Sequence, residues 1–317
     1  MSTIGQWWMW LVFFGFMLFM LSADLYLLGG NRAHRVSTRE ATAWVIVWVI
    51  SAALFALALW IYLYYHDNLA LANSKTLEFV TGYIVEKSLS IDNLFVFLMI
   101  FGYFVVPREY QRRVLLYGIL GAIAMRFIFI TFGILLVAQF EWILYLFGAF
   151  LVFTGVKMLL FAEAEEDLSK NLLLRWMRKH LRITAHYHGE KFFVRENHLL
   201  YVTPLFLVLV LIEVSDVIFA VDSIPAIFVI THDPFIIYTS NVFAIFGLRA
   251  MYFLLANMAD RFEFLKYGVA MILMIIGVKM VLSHWIEIPT LLTLALVVVI
   301  LTASVIISWK KTAGTDH

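Results

Sequence analysis

The sequence predicts an all-α membrane protein: about nine transmembrane helices in a single polytopic domain over residues 1–317, with two inverted three-helix repeats (spans 3–5 and 6–8). Three observations predict it. First, 63% of the residues are hydrophobic and the mean hydropathy is +0.92, whereas soluble domains are about 45–50% apolar. Second, the apolar residues fall into nine runs of roughly 20 residues, enough for a helix to cross a ~30 Å hydrocarbon core. Third, the 23 Lys and Arg residues are distributed unevenly between the loops. A net charge of +1 argues against a nucleic-acid partner. Zero cysteines exclude disulfides, thiolate metal sites and thiol redox chemistry.

The expected spans are 7–28, 41–65, 77–104, 112–137, 140–161, 201–226, 235–256, 263–282 and 289–308. The first reads as a span rather than a cleaved signal, because no Lys or Arg precedes Arg32 and a signal peptide begins with a basic region. Under this division, 17 of the 23 basic residues lie on one side, Lys75 stands alone on the other, and five (Lys87, Arg126, Lys157, Arg249, Lys279) lie within spans. Positive charge stays on the cytoplasmic side. The expected orientation is therefore N-terminus outside and C-terminus in the cytoplasm of a bacterial inner membrane. Trp7, Trp8, Trp10, Trp44, Trp142, Trp285 and Trp309 cluster near span ends, as an interfacial belt does.

The one sizeable polar piece, 162–200, is expected on the cytoplasmic face. Leu168, Leu172 and Trp176 share a helical stripe, flanked by Leu173, Met177 and Leu181 and followed by Arg175, Arg178, Lys179 and Arg182. That pattern suits an amphipathic helix on anionic headgroups, although a solvated connector fits equally. His186, His188 and His198 offer a regulatory metal or pH-sensing alternative.

Spans 3–5 and 6–8 share a register. Asp92 to Arg126 is 34 residues and Asp216 to Arg249 is 33; Arg126 to Lys157 is 31 and Arg249 to Lys279 is 30. Gly155-Val156-Lys157-Met158 repeats as Gly277-Val278-Lys279-Met280. A unit of three spans puts its second copy upside down. Inverted repeats with acids near the midplane are the pattern of secondary transporters.

The chemistry lies in spans 3 and 6. An acid at bilayer depth costs roughly 2.5–3.5 kcal/mol on insertion scales, so it must face a protein interior or wet cavity. Glu86, Ser90 and Asn93 fall on one face of an ideal helix, with Asp92 turned away. Glu213 and Asp216 share a face in span 6. Asp222 points elsewhere unless Pro225 breaks the helix near Asp222 and Ser223, a break expected because proline removes a backbone donor. Glu86, Asp92, Glu213, Asp216, Asp222, Ser90 and Asn93 form a hard oxygen set suited to Mn²⁺, Mg²⁺ or Ca²⁺. The competing reading pairs the acids with Arg126, Arg249 and Lys87, and the two are compatible if pairing gives way to metal. Arg126 and Arg249 are expected to brace the acids, and Lys157 and Lys279 to snorkel from span ends.

The stretches Glu86–Phe97 and Glu213–Ile227, with Phe192–Asn197 and Phe246–Leu255, resemble the TerC family, named for tellurium resistance. The resemblance implies a nine-span inner-membrane protein of the wider lysine-exporter-like class, acting in manganese efflux. It matches Glu86, Asp92, Glu213, Asp216 and Asp222 to the family's acids. Composition does not separate Mn²⁺ from Mg²⁺; the resemblance alone favours manganese.

The expected function is export of a divalent metal by alternating access, with no resident cofactor. A midplane carboxylate that takes up a proton as the metal leaves would couple export to the proton gradient. The bilayer and the ion are the expected partners; a homo-oligomer or membrane partner stays open. The rivals are a Ca²⁺ or Mg²⁺ transporter and a non-transporting scaffold that loads metal into exported proteins. An enzyme is not expected, for want of a nucleophile–base pair at recognisable spacing.

Overall fold

A computed structural model of the chain describes residues 3–27, 37–140, 142–160, 171–196, 198–256, 265–282 and 289–313. Helices stand at all nine expected segments. They are α1 (Trp7–Leu27), α2 (Thr38–His66), α3 (Leu69–Tyr103), α4 (Arg108–Gln139), α5 (Ile143–Leu160), α7 (Pro204–Ile230), the pair α8 (Pro234–Ile245) and α9 (Leu248–Ala256), α10 (Leu265–Leu282) and α11 (Thr290–Ala313). A short helix α6 (Leu172–His180) and a hairpin of β1 (Phe193–Glu196) and β2 (Leu199–Val202) fill the polar loop. Among the described residues, six segments are long and apolar enough to cross a membrane: α2, α4, α5, α7, α8 with α9, and α11. Leu54, Phe132, Leu135, Phe153, Leu291 and Ile306 lie exposed on their outer faces, so the surface that meets lipid is built from the same helices. The chain is an all-α, multi-pass membrane protein.

The helix starts follow local chemistry. Ser37 accepts from the Glu40 amide, Asn68 from Leu71, Asn171 from Leu174 and Asp233 from Phe235, each satisfying a donor that the first turn leaves open. Pro204 and Pro234 sit in first turns, where a missing N–H costs nothing. Only Asp67 and Asn68 separate α2 from α3, which makes those helices antiparallel neighbours.

Helix α3 packs against α2, α7, α8, α9 and α11, and α4 packs against α7 and α8. Helix α8 is innermost: every residue from Phe235 to Ile245 is buried. The closest pairing joins α5 to α10. A Cβ on Gly155 would lie 2.8 Å from the Ala270 carbonyl oxygen and 3.1 Å from the Met274 nitrogen. A Cβ on Gly277 would lie 2.7 Å from the Gly148 carbonyl oxygen and 2.8 Å from the Val152 nitrogen. Neither position admits a side chain. The contacts are reciprocal: moving Gly148, Val152 and Gly155 on by 122 positions gives Ala270, Met274 and Gly277. The early part of each helix meets the late part of the other, so the two run antiparallel.

Two helix expectations need correction. Pro225 does not break α7, which runs unbroken through Asp222 and Ser223 to Ile230. The break falls instead in the seventh segment, at Phe246 and Gly247, where Gly247 takes φ +82. Proline costs a helix one donor, a loss the neighbouring packing can absorb. A left-handed φ redirects the chain outright and favours glycine.

The polar loop also differs in detail. Helix α6 docks through Leu174 and Met177, both buried against α7 and the first core cluster. Leu172 and Trp176 of the expected stripe are 78% and 55% exposed; Leu168 lies outside the described residues. The hairpin was unforeseen, and its tight return holds His198 at φ +64. The loop ahead of it is tied inward where Tyr187 Oη donates to the Phe104 carbonyl at 2.8 Å.

Candidate functional site

The buried charges converge where α3, α4, α7 and α8 meet. Glu86, from α3, is 1% exposed and accepts a short charge-assisted bond from Arg126 Nη1 of α4. Arg126 Nε stands 4.0 Å from Asp216 Oδ2 of α7, itself 4% exposed. Arg126 Nη1 also approaches Asn241 Oδ1 of α8 at 3.4 Å. One guanidinium therefore serves two carboxylates, and at bilayer depth the second negative charge lacks a full partner.

The polar atoms left over are concentrated here. Eight buried side-chain atoms lack a hydrogen-bond partner among the described residues. Five belong to residues on these four helices near the junction: Ser90 Oγ, Arg126 Nε, Asp216 Oδ2, Ser223 Oγ and Asn241 Nδ2. Buried polar groups are ordinarily satisfied, and exceptions mark a site for water or an ion. A cavity of about 10 Å³ adjoins Asp216, bounded also by Arg249, Gly118, Ala122, Leu94 and Leu115 among others. That is about the size that holds one water.

The seven predicted ligands divide into three groups. Glu86 and Asp216 meet across Arg126. Ser90 and Asn93 are buried on the same face of α3 as Glu86. Glu213 is half-buried, with its carboxylate packed over Gly121 of α4, where an added Cβ would have to displace it. Asp92 lies in α3 and Asp222 in α7, but their side chains lie outside the described residues. Among the described residues no three His, Cys, Asp or Glu side chains gather as a metal cluster. In this arrangement the guanidinium holds the acids.

Three features escaped the sequence reading. Asn241 and Ser223 supply unsatisfied polar atoms to the junction. The polar run Thr239-Ser240-Asn241, unusual inside an apolar span, was a signal for the first of them. Among the described residues Lys87 pairs with no acid; its Nζ donates to the Ala244 and Phe246 carbonyls at 3.0 and 2.9 Å. Lys279, expected to snorkel, is buried and donates to Thr293 Oγ1 of α11 at 2.9 Å, whereas Lys157 is exposed. His188 Nε2 lies 3.4 Å from Glu196 Oε1 on the polar loop.

Apolar helices around a buried, incompletely paired charge centre define a polytopic membrane protein with an intramembrane polar site. The chain matches the Integral membrane protein TerC family over residues 71–315, and it belongs to that family. It is 54% identical over 308 residues to the protein provisionally named membrane-bound redox modulator Alx of Shigella flexneri, covering 97% of this chain and 96% of the relative. The Alx protein of Escherichia coli K12 gives the same figures. That of Photorhabdus laumondii is 51% identical over 319 residues, covering both chains completely. All three relatives are bacterial. No solved structure matches the chain.

Proposed function

We propose that this protein is a secondary transporter that exports a divalent metal ion, Mn²⁺ being the ion the TerC resemblance favours. The observation that carries the reading is the junction of Glu86, Arg126 and Asp216, with the Ser90 and Ser223 hydroxyl oxygens unpartnered beside it among the described residues. A structural ion pair alone has no need of spare ligands. A site that exchanges a tethered cation for a free one does. Arg126 then holds the carboxylates when no metal is bound and yields them when metal arrives, with Ser90, Asn93, Asp92, Glu213 and Asp222 completing the oxygen set. Carboxylate, amide and hydroxyl oxygens suit a hard divalent cation.

The architecture we propose is nine crossings, N-terminus outside and C-terminus in the cytoplasm of the inner membrane, with spans 3–5 and 6–8 as inverted repeats. The α5–α10 pair supports the repeats: an antiparallel pair with reciprocal contacts is what a two-fold axis in the membrane plane produces. Rocking of the halves about the junction would expose it to each side in turn, and a carboxylate that gains a proton as metal leaves would couple the two fluxes. Exposed Leu172 and Trp176 beside Arg175, Arg178 and Lys179 suit contact with anionic headgroups. The relatives' name speaks of redox modulation; in a cysteine-free chain such an effect would arise through the metal moved rather than through thiols.

The test is Mn²⁺ movement in sealed proteoliposomes with ΔpH followed in parallel, comparing wild type with Asp92→Asn and Asp216→Asn. Saturable flux, lost in both variants, is the expected result. No flux of any divalent metal by folded protein would replace the transporter with the metal-loading scaffold, and flux that leaves ΔpH unchanged would remove the proton coupling.

A further inference from the structure

We propose that the break in the seventh segment is a cation site filled by the chain's own Lys87 ammonium, which fixes the joint between α8 and α9. The argument begins with the backbone. In a continuous helix the Ala244 and Phe246 carbonyls would be directed at the Leu248 and Ala250 amides. Gly247, at φ +82, turns the chain between them. Backbone carbonyls at membrane depth must find a partner within the protein, because the bilayer offers none. Lys87 Nζ reaches both, at 3.0 and 2.9 Å, from a different helix and from 157 and 159 residues away. Two converging carbonyl oxygens are ligands for a monovalent cation, and broken helices present such oxygens to ions in other membrane proteins. Here the ion is covalently tethered.

The surroundings hold the joint in one form. Trp48 stacks on Phe246 with ring centroids 4.7 Å apart and an interplanar angle of 7°. A Cβ on Gly247 would meet the Trp48 ring at 2.9 Å, so Trp48 closes the turn against a side chain. Two residues past the turn, Arg249 reaches the cavity beside Asp216. The tethered cation thus sets the direction of the short helix that places Arg249 at the junction. Lys87 is a positioning residue, and the assignment stands whether or not the protein transports metal.

The test is thermal unfolding of the purified full chain in detergent. Lys87→Met, which keeps the stem and deletes the charge, is expected to lower Tm by at least about 3 °C, the scale of a lost pair of charge-assisted bonds. Lys87→Arg, which can still donate to both carbonyls, is expected to recover most of the loss. Lys87→Ala opens the site: n-propylammonium should raise its Tm saturably, and tetramethylammonium, a cation without N–H donors, should not at equal ionic strength. Wild type should respond to neither. A Lys87→Met protein as stable as wild type overturns the proposal. So does the absence of rescue in Lys87→Ala, or equal rescue by the two ammonium ions. If Lys87→Ala does not fold, the Met and Arg variants decide: equal instability in both refutes a cation site, and recovery in Arg alone upholds it.

Discussion

Helices α4 and α8–α9 each carry an arginine at matching register, Arg126 and Arg249, yet they are built differently. Helix α4 is uninterrupted for 32 residues, because side chains from neighbouring helices answer its buried arginine: Glu86, Asp216 and Asn241. The other segment breaks two residues before its arginine and hands two main-chain carbonyls to Lys87. One region settles its buried charge with side chains and keeps its backbone regular. The other uses the backbone as ligand and gives up a straight helix. The comparison teaches that a repeated charge in sequence does not bring a repeated local structure: α4 stays straight around its own arginine, whereas the α8–α9 segment breaks and gives its carbonyls to a lysine of α3.

Removing the side-chain solution should do the most damage. Arg126→Met leaves Glu86 and Asp216 buried without a cation and should destabilise the fold by about 3–5 kcal/mol, read as a large fall in Tm. Adding Glu86→Gln to it should return part of that loss. A double variant no more stable than the single one would show that the guanidinium and Glu86 are not coupled. Next come the reciprocal glycines: Gly155→Val and Gly277→Val should each cost about 1–3 kcal/mol by overpacking, and by similar amounts. Clearly unequal losses would break the equivalence of α5 and α10. Gly247→Ala should cost at least about 1–2 kcal/mol, through its left-handed φ and the contact its Cβ would make with Trp48, while Pro225→Ala should stay within about 1 kcal/mol of wild type. The opposite ranking would return the functional break to α7.

The smallest effect lies outside the membrane. His232, in the turn between α7 and α8, has its pKa lowered from the ordinary histidine value mainly by desolvation; Glu78 opposes this and Lys75 reinforces it. The unfolded chain therefore binds the proton more readily. Stability contributed by the neutral ring is complete above about pH 6.5 and declines as pH falls from there toward the folded pKa. Replacing His232 with Gln should flatten that part of the pH–Tm curve, and an unchanged curve would remove the effect.

Much of this was legible in the sequence, for identifiable reasons. Apolar run length places helices, so the nine segments could be located. The Gly-Val-Lys-Met duplication marked the two stretches that pack reciprocally as α5 and α10. Other signals were present but misweighed. Phe193–Glu196 and Leu199–Val202 are short aromatic and branched runs around a two-residue return, a hairpin pattern easily passed over inside a basic loop. Pro225 drew the expected break because proline weakens a helix everywhere in principle. Its actual cost depends on the packing around one carbonyl, which is a tertiary matter.

What the sequence determined by itself was the class: hydropathy dictates a membrane solvent, and the acidic stretches of α3 and α7 point to the TerC family. Only the tertiary structure decided which charge answers which. Glu86 and Arg126 are 40 residues apart, Arg126 and Asn241 are 115, and Lys87 reaches carbonyls 157 and 159 positions away. Local pattern fixes a helix and its apolar face, but not its rotation or its neighbours. Those follow from close packing, as where two glycines bring α5 against α10, and from the demand that every charge and carbonyl in the bilayer find a partner.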